Sequence, residues 1–206
     1  MEDKKFWNWC TFSYDFWHYL EYFSYKHAAE NICDKITDEE KILEIACGTG
    51  ILTNEIVKRY PNLDYTAVDY SQKMIDICRA KKINAKFEIM DATNLQFPDS
   101  YFDIVIIANT LHIIPNPNIV ILEMMRCLNE NGTFYAPNFL TPTTFKEKFI
   151  LDIIRKFGYH VYNEYDVESY IEMLSSNGLV IDKTEIFKCF RTLFFVECSK
   201  SKKLTK

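Results

Sequence analysis

The sequence predicts a single α/β domain with a doubly wound, seven-stranded and mostly parallel sheet. Three observations predict this fold. Short runs rich in β-branched residues alternate with longer helical patterns, as repeated βα units require. A length of 206 residues fits one hydrophobic core. Two alternating runs near the C-terminal end, joined by a short polar link, predict an antiparallel hairpin.

The alternating patterns place each element of this Rossmann-like sheet. Parallel strands are predicted at residues 41–46, 65–69, 85–90, 102–108 and 132–138. Helices are predicted between them at 52–59, 71–81 and 119–128, where apolar residues keep a spacing near 3.6. Ser71 is the expected N-cap of the second of these helices.

The rest of the chain completes one domain over residues 1–206. An aromatic N-terminal helical arm is predicted for residues 1–36, and a helical insertion that could cap an acceptor for residues 140–178. Within the insertion, helices are expected at 142–157 and 166–176, each ended by a glycine. The antiparallel hairpin is expected at 180–187 and 192–197.

The composition limits the classes of partner that the protein is expected to bind. A net charge of −5 argues against nucleic acid, which needs a basic surface. Seven cysteines without a Cys-x-x-Cys pair indicate reduced thiols in a cytoplasmic protein, with neither a disulfide framework nor a bound metal. No apolar run approaches the ~20 residues that span a bilayer, so no integral membrane contact is expected. The expected state is a monomer or homodimer.

A small-residue turn joins the first strand to its helix. Gly is scarce, with 5 in the chain, yet Gly48 and Gly50 stand two residues apart beside Cys47. Glycines allow a tight turn and a close approach of backbone to a ligand, and the helix that follows offers unpaired N–H groups and a positive dipole end. This pattern alone predicts a nucleotide site.

Two carboxylates sharpen the prediction. Asp69 ends the second predicted strand and Asp91 follows the third, so both are expected at the same sheet edge as the glycine turn. One acid suits the ribose diol and the other an exocyclic adenine amine. A dinucleotide dehydrogenase is the competing interpretation, but Ala46 and Ile51 occupy its first and third glycine positions, and it has no use for Asp91.

At these motifs the chain resembles the class I S-adenosylmethionine (SAM)-dependent methyltransferases, and among them the small bacterial group called type 11. The resemblance covers about residues 38–139. Its motifs are Leu43-Glu-Ile-Ala-Cys-Gly-Thr-Gly50, Ala67-Val-Asp-Tyr-Ser-Gln-Lys-Met74, Met90-Asp-Ala-Thr-Asn-Leu-Gln-Phe-Pro98, Phe102-Asp-Ile-Val-Ile-Ile-Ala-Asn109 and a helix with its strand from Leu122 to Pro137. Ala46 departs from the motif, which has its first glycine there.

The resemblance implies a SAM-binding enzyme and a role for each matched residue. Glu44 would face the methionyl end, and the carbonyls of Ala46 and Asn109 would accept from its ammonium. Asp69 would hold the ribose, and Asp91 the adenine amine. The remaining matched contacts are Tyr70 and Met74 beside the adenine, the Ala92 amide on its ring, and Cys47, Gly48 and Gly50 in the turn.

The sequence gives less information about the residues that contact the methyl acceptor. Because the sulfonium supplies the activated methyl, a base is needed only for a protonated acceptor. His112, just beyond the fourth strand, is the candidate catalytic residue and also a candidate acceptor contact, with packing as the alternative role. Asn138 is expected at the acceptor wall. In the arm, Tyr14 is predicted to cover the cofactor, and Trp17 and Tyr22 the acceptor, with ordinary burial as the alternative.

Three functions remain open at this point. The leading prediction is a SAM-dependent methyltransferase that acts on a small molecule. A membrane-associated quinone or lipid methyltransferase is the second, although Ala108-Asn-Thr-Leu-His-Ile113 lacks the Gly-Leu-Arg-Asn signature associated with the quinone enzymes. The third is a SAM-binding module without catalysis.

Overall fold

The protein was analysed as a computed structural model. It describes residues 21–201 except Asp38, Phe157, Cys189 and Phe190. Tyr14 and Trp17, which were predicted to cover the site, lie outside the described residues.

The described chain alternates strands and helices as predicted. Helix α1 occupies residues 21–33. The elements that follow are β1 (Lys41–Ile45), α2 (Ile51–Val57), β2 (Asp64–Asp69), α3 (Gln72–Ala80), β3 (Lys86–Ile89), β4 (Phe102–Ile107), a 3-10 turn (Leu111–Ile113), α4 (Pro117–Cys127), β5 (Leu128–Tyr135), β6 (Asn138–Phe139), α5 (Phe145–Lys156), α6 (Val167–Ser176), β7 (Leu179–Lys188) and β8 (Thr192–Lys200).

The strands form one mixed sheet in the order β3-β2-β1-β4-β5-β8-β6, with β7 paired to the other side of β8. Strands β1 to β5 are parallel, and β8 runs antiparallel to β5, β6 and β7. Chain order reverses between β1 and β4, which is the point where open α/β sheets bind ligands. The predicted doubly wound sheet and C-terminal hairpin are therefore confirmed.

Two details differ from the prediction. In the described part of the chain the sheet has eight strands, because Pro137 cannot donate a ladder hydrogen bond and the chain resumes beyond it as the two-residue β6. Strand β5 begins at Leu128, directly after α4, and not at Gly132. Gly132 is needed there, since a Cβ atom would stand 2.4 Å from Cδ1 of Leu128 and 2.7 Å from the carbonyl oxygen of Asp103.

Each face of the sheet carries its own apolar layer. Along β4, Ile104 and Ile106 point to the face covered by α1, α2 and α3, while Val105 and Ile107 point to the face covered by α4 and α6. This alternation is the period of a strand buried on both sides. Ser71 caps α3 as predicted, since its hydroxyl accepts from the Met74 amide. The core thus fixes the strand ends that carry the polar residues.

Candidate active site

The turn between β1 and α2 has a left-handed backbone at three positions. The φ angles are 54° at Ala46, 55° at Gly48 and 76° at Gly50. The turn is held to the sheet because the Cys47 amide donates to the Val68 carbonyl at 3.1 Å. Ala46 adopts a conformation that costs an L-residue about 1 kcal/mol or more. The turn therefore has the unusual backbone conformation that its two glycines predicted, and Ala46 shares this conformation.

Gly50 is required by protein packing. A Cβ atom at this position would lie 2.8 Å from Cδ1 of Ile83 and 3.0 Å from Sγ of Cys78. The thiol of Cys78 also donates to the Gly48 carbonyl at 3.2 Å. Cys47 lies in the same contact, and its hydrogen bond with Cys78, together with burial, raises the pKa of the Cys47 thiol. Packing of α3 against the turn therefore accounts for Gly50 and for the small residue at Cys47.

Asp69 fastens the glycine turn to the end of β2. Its Oδ2 accepts from the Gly48 amide at 2.9 Å, and its Oδ1 accepts from the Ser71 amide at 2.9 Å. The residue is buried, and burial raises the pKa of its carboxyl group although the backbone amides of Ser71, Gly48 and Tyr70 oppose the shift. The structure thus brings the turn and this predicted ribose ligand into direct contact.

Asp91 and Ala92 lie beside that contact, at the end of β3. The Met90 amide donates to the Asp69 carbonyl at 3.0 Å, which joins the two strand ends. Asp91 is exposed, and its Oδ1 accepts from the amide and the hydroxyl of Thr93 at 2.9 and 2.7 Å. This turn holds the carboxylate at the same sheet edge as Asp69.

Arg126 of α4 holds the loop that follows Asp91, a role that the sequence did not predict. Its guanidinium donates to the carbonyls of Leu95 and Phe97 at 2.8 and 2.7 Å and pairs with Asp99 at 2.7 Å. Glu123 binds the same guanidinium and accepts from the Leu95 amide at 2.9 Å. The loop that carries the predicted adenine contacts is therefore fixed from α4.

Tyr70 and Met74, the predicted adenine neighbours, follow Asp69 along the chain. Tyr70 is half-buried, and Met74 is buried in α3. Ala92 packs at the edge of the apolar layer on the opposite face of the sheet. Both sides of the strand end thus present apolar atoms close to the two carboxylates.

Glu44 is buried in β1. Its Oε2 accepts from the hydroxyls of Thr53 and Tyr65, the latter at 2.7 Å. Burial raises the pKa of this carboxyl to about 7, against the effect of the two hydroxyl donors. Glu44 is thus poised between its charged and neutral forms near neutral pH.

Two buried polar atoms near the turn have no hydrogen-bond partner among the described residues. They are Oδ1 of Asn109 and Oγ1 of Thr49. Asn109 also has a left-handed φ of 52°, and its amide donates to the Pro137 carbonyl at 2.8 Å. Buried polar atoms are nearly always satisfied, so orphaned atoms at a strand end indicate a place for a polar ligand.

His112 lies beyond β4 in a buried hydrogen-bond chain. Its Nδ1 is 2.9 Å from Oδ1 of Asn138 and its Nε2 is 2.7 Å from the hydroxyl of Tyr159. Burial, and then the charge of Arg191, lowers the pKa of His112 to about 3. Both predicted acceptor residues, His112 and Asn138, are therefore in direct contact. Catalysis by His112 stays a prediction.

Helix α1 adds Glu21 and Tyr25 to this cluster. Glu21 pairs with Arg191 at 3.6 Å, and Tyr25 lies close enough to Glu21, Tyr159 and Glu44 for their charges to raise the pKa of its phenol, after the larger effect of burial. Tyr22, the predicted acceptor residue, has its ring against that of Phe23 at 6.0 Å. The role of Tyr22 stays a prediction.

Arg191, from the turn between β7 and β8, is the charged member of the cluster. Its side chain is only 14% exposed and lies over the ring of Phe139 at 4.3 Å. It also hydrogen-bonds with Tyr159. Arg191, Tyr159, Glu21 and Tyr25 carried no sequence signal, because each comes from a segment whose pattern indicates only a helix, loop or hairpin.

Two further properties concern possible ligands and membranes. Within residues 21–201, less the four positions left out, no group of three His, Cys, Asp or Glu side chains has the arrangement of a metal site. No helix in that part of the chain is long and apolar enough to cross a bilayer.

The residues at this edge of the sheet lie within a segment that is similar to known proteins. A family model described as "Methyltransferase domain" matches residues 42–132, which include the glycine turn, Asp69, Asp91 and His112. This part of the chain is therefore similar in sequence to methyltransferases. The match supports the predicted family, and the narrower assignment to type 11 stays a prediction.

The curated relatives match about half of this chain. A demethylmenaquinone methyltransferase from Thermotoga maritima is 31% identical over 105 residues, covering 51% of this chain and 46% of the relative. A fatty-acid O-methyltransferase from Mycolicibacterium smegmatis is 30% identical over 97 residues, covering 46% and 35%. The chain spans about half the length of these relatives or less.

Among solved structures, a SAM-dependent methyltransferase from Thermotoga maritima has the same fold. The TM-score is 0.74 at 15% identity, covering 96% of this chain and 99% of the other. The shared fold thus extends over nearly the whole chain.

Proposed function

We propose that the protein is an enzyme that transfers the methyl group of SAM to a small-molecule acceptor. The observation that carries this proposal is the meeting of the glycine turn with Asp69, beside the end of β3 and the orphaned Oδ1 of Asn109. A hydrogen-bonding edge of this kind suits the adenosyl and methionyl parts of one ligand. The family match supports the same cofactor.

Each predicted residue has a specific place in this proposal. Asp69 accepts from the ribose hydroxyls beside the backbone amides that already hold its carboxylate. Asp91 accepts from the adenine amine, and the Ala92 amide donates to the ring. Tyr70 and Met74 supply the apolar walls. Glu44, with the carbonyls of Ala46 and Asn109, holds the methionyl end, and Cys47, Gly48 and Gly50 form the turn below it.

The main contribution of the protein to methyl transfer is to align the acceptor with the methyl group. When bound, SAM supplies a methyl group on a sulfonium, a good leaving group for an in-line displacement. The residues of the chain orient the acceptor and exclude water, and alignment of this kind can supply several kcal/mol. His112 and Asn138 are buried and Tyr159 is half-buried, which makes the acceptor side suited to both tasks.

Calorimetric titration tests the cofactor part of the proposal. The purified chain should bind SAM and S-adenosylhomocysteine, and Asp69→Ala should weaken both at least about 100-fold, since it removes an acceptor and leaves two amides unpaired. Asp64→Ala is the matched control, because Asp64 lies at the opposite end of the same strand. It should leave the affinity within about twofold. A wild-type chain that ignores both ligands would overturn the assignment.

A quinone or lipid acceptor at a membrane is the second candidate. It is favoured by the printed function of the Thermotoga relative, a demethylmenaquinone methyltransferase. Sedimentation with liposomes separates the two candidates, together with a methyl-transfer screen of amines, phenols, thiols and quinols. Co-sedimentation and turnover of a quinol would favour the second, and turnover in a soluble assay without lipid the first. A SAM-binding module without catalysis would turn over none of these acceptors.

We further propose that the protein acts in the cytoplasm as a monomer or homodimer, without a metal or nucleic acid. The net charge of −5 supports the last point, because it opposes contact with phosphate backbones. Residues 1–36, with Tyr14, Trp17 and Tyr22, are proposed as a lid, supported by the position of Glu21 and Tyr25 beside the site. Deletion of residues 1–20 should then weaken SAM binding.

A further inference from the structure

We infer that helix α5 is a surface with which the protein docks on an anionic lipid bilayer. This docking surface, the α5 face, consists of Phe145, Phe149 and three lysines of the same helix, Lys146, Lys148 and Lys156. The inference goes beyond the proposed function and does not depend on it, because docking on a bilayer requires neither SAM nor an acceptor.

The α5 face has two aromatic rings that are exposed to solvent. Among the twelve residues of α5, Leu151 alone is buried. Phe145 is 86% exposed and Phe149 is 57% exposed, and no other large apolar side chain in the described part of the chain is as exposed as Phe145. The two rings stack on each other, with centroids 6.4 Å apart and planes at 15°. Contiguous exposed apolar groups of this kind mark sites of contact with a protein or a membrane.

Lysines surround the two rings. Lys146, Lys148 and Lys156 are all exposed. At 3.6 residues per turn, Lys156 lies on the same side of the helix as the rings, and Lys146 and Lys148 flank them. The α5 face therefore combines apolar and positively charged groups, as helices that lie in a membrane interface do.

The acidic residues of α5 do not cancel this charge. Glu147 accepts from the amide and the hydroxyl of Thr144 at 3.1 and 2.8 Å, and Asp152 pairs with Arg155 at 3.7 Å. With four basic and two acidic residues, α5 keeps a net positive charge. The whole chain, in contrast, has a net charge of −5. The α5 face is thus a local basic surface on an acidic protein, and it is complementary to an anionic partner.

An anionic bilayer satisfies both properties of the α5 face. The phenylalanine rings can insert at the boundary between headgroups and acyl chains, while the lysine amines reach the lipid phosphates. A second copy of the chain fits less well, because a symmetric contact would bring the same lysines face to face. A soluble anion would pair with the lysines but would leave both rings in water.

The position of α5 brings this surface next to the proposed acceptor side. Tyr159 follows the last residue of α5 by three positions, and its hydroxyl is 2.7 Å from Nε2 of His112. Twelve residues give α5 a length of about 18 Å. The helix can therefore lie along a bilayer, whose hydrocarbon core of ~30 Å it is too short to cross. Docking through α5 would hold the contact between His112 and Tyr159 close to the lipid surface.

Sedimentation of the full chain with vesicles tests the inference in the absence of SAM and acceptor. The chain should bind vesicles of equal parts phosphatidylcholine and phosphatidylglycerol at least about tenfold more tightly than vesicles of phosphatidylcholine alone, because the negative surface potential attracts each lysine. Added salt should weaken this binding by screening. A chain that stays in the supernatant, or that binds both kinds of vesicle equally, would refute the inference.

The apolar part of the α5 face is tested by a double variant. Phe145→Ser with Phe149→Ser should weaken binding to the mixed vesicles at least about tenfold, since neither ring can insert. Ile119→Ser with Leu122→Ser is the matched control, because it removes two exposed apolar side chains of α4. The control should stay within about twofold of the wild type. Equal losses in the two double variants would show that the adhesion is unspecific and would count against α5.

The charged part is tested by two triple variants with the same net charge. Changing the three lysines of the α5 face to Gln should weaken binding to the mixed vesicles at least about tenfold. The control changes three exposed lysines elsewhere in the chain to Gln: Lys26, Lys73 and Lys82. It should lose clearly less, and equal losses would assign the attraction to net charge and refute a specific surface.

Sedimentation equilibrium and melting curves complete the test. A wild type that is a dimer in solution, and that becomes a monomer in Phe145→Ser with Phe149→Ser, would identify the α5 face as a contact between copies and would refute the bilayer. All substituted positions are exposed, so the variants should melt within a few degrees of the wild type. The two variants of the α5 face are independent, so either one alone can refute the inference.

Discussion

The proposed cofactor half (the turn after β1 and the ends of β2 and β3) and the proposed acceptor half (the cluster around His112, Tyr159 and Arg191) are built in different ways. In the cofactor half, the turn after β1 and the ends of β2 and β3 meet through backbone amides, as between Gly48 and Asp69, 21 residues apart. In the acceptor half, side chains meet side chains from distant segments, as between His112 and Tyr159, 47 residues apart. One half depends on backbone conformation, and the other on which helices and hairpin pack together.

The two halves also bury ionisable groups with opposite consequences. Glu44 in the cofactor half has its pKa raised to about 7, and His112 in the acceptor half has its pKa lowered to about 3. Burial is the main cause in both cases, since it disfavours the charged form. The stability of the folded protein is thus lowered at high pH through Glu44 and at low pH through His112. The pH dependence of unfolding therefore distinguishes the contributions of the two halves.

The largest expected effect is the loss of stability in acid through His112. Its folded pKa lies below the ordinary value of 6.5, so its contribution is complete above pH 6.5 and is lost as the pH falls towards 3. The total is about 5 kcal/mol, of which about 3 kcal/mol is lost by pH 4.5. Because Glu44 changes stability in the opposite direction over the same range, the measure is the difference between two proteins. The free energy of unfolding in urea of the wild type, relative to that of His112→Gln, should fall by about 3 kcal/mol between pH 7.5 and 4.5.

His160, exposed in the loop after α5, provides the control for this experiment. The stability of His160→Gln should change between the two pH values by the same amount as that of the wild type, because His112 is intact in both. A His112→Gln variant with the same acid sensitivity as the wild type would show that His112 is charged and solvated in the folded protein, and would break the proposed difference between the halves.

The second effect has the opposite sign and arises from Glu44. Its raised pKa means that stability is greatest below pH 4.5 and is lost as the pH rises to about 7, by about 3 kcal/mol in total. Glu44→Gln should remove this loss while keeping an acceptor for Thr53 and Tyr65. Urea midpoints at pH 5 and 8 measure it, with the exposed Glu88→Gln as control. A Glu44→Gln variant that gains nothing on the wild type at pH 8 would contradict the prediction.

Sequence patterns predicted the cofactor half well because its requirements are local. A glycine turn after a buried strand and an acid at the next strand end are constraints on a few consecutive residues, and Gly48 and Asp69 satisfy them in contact. Strand β5 shows where local patterns fail. Leu128-Asn-Glu-Asn-Gly132 has the composition of a turn, but pairing of Leu128 with Phe102 extends β5 through it.

The acceptor half could be predicted only in part. His112 and Asn138 follow strand ends and were found for that reason, and their mutual contact is a consequence of β6, which was not predicted as a separate strand. Glu21 and Arg191 meet only because α1 and the β7–β8 turn pack at the same edge. Such contacts depend on the tertiary arrangement, for which no residue pattern exists in either segment.

Arg126 allows the cofactor half to be weakened without touching a proposed ligand contact. Arg126→Met keeps the apolar stem but removes the donors to Leu95 and Phe97, so the loop after Asp91 loses its anchor. We expect SAM affinity to fall about tenfold, which corresponds to about 1.4 kcal/mol. Calorimetry measures it, with Arg155→Met on α5 as the control. Equal affinities for the two variants would show that the loop is fixed by other contacts.

The smallest expected effect concerns the strain at Ala46. Ala46→Gly removes a left-handed alanine, which costs about 1 to 2 kcal/mol, but increases the entropy of the unfolded chain by an opposing 0.4 to about 1 kcal/mol. The net expectation is a gain in stability of about 0.5 kcal/mol, measured by urea unfolding. Lys82→Gly is the matched control, since the exposed Lys82 has the same φ of 54° outside the site. If Ala46→Gly destabilised the protein while Lys82→Gly stabilised it, the Ala46 methyl group would be a packing contact of the turn, and the backbone account of the cofactor half would need side-chain contacts as well.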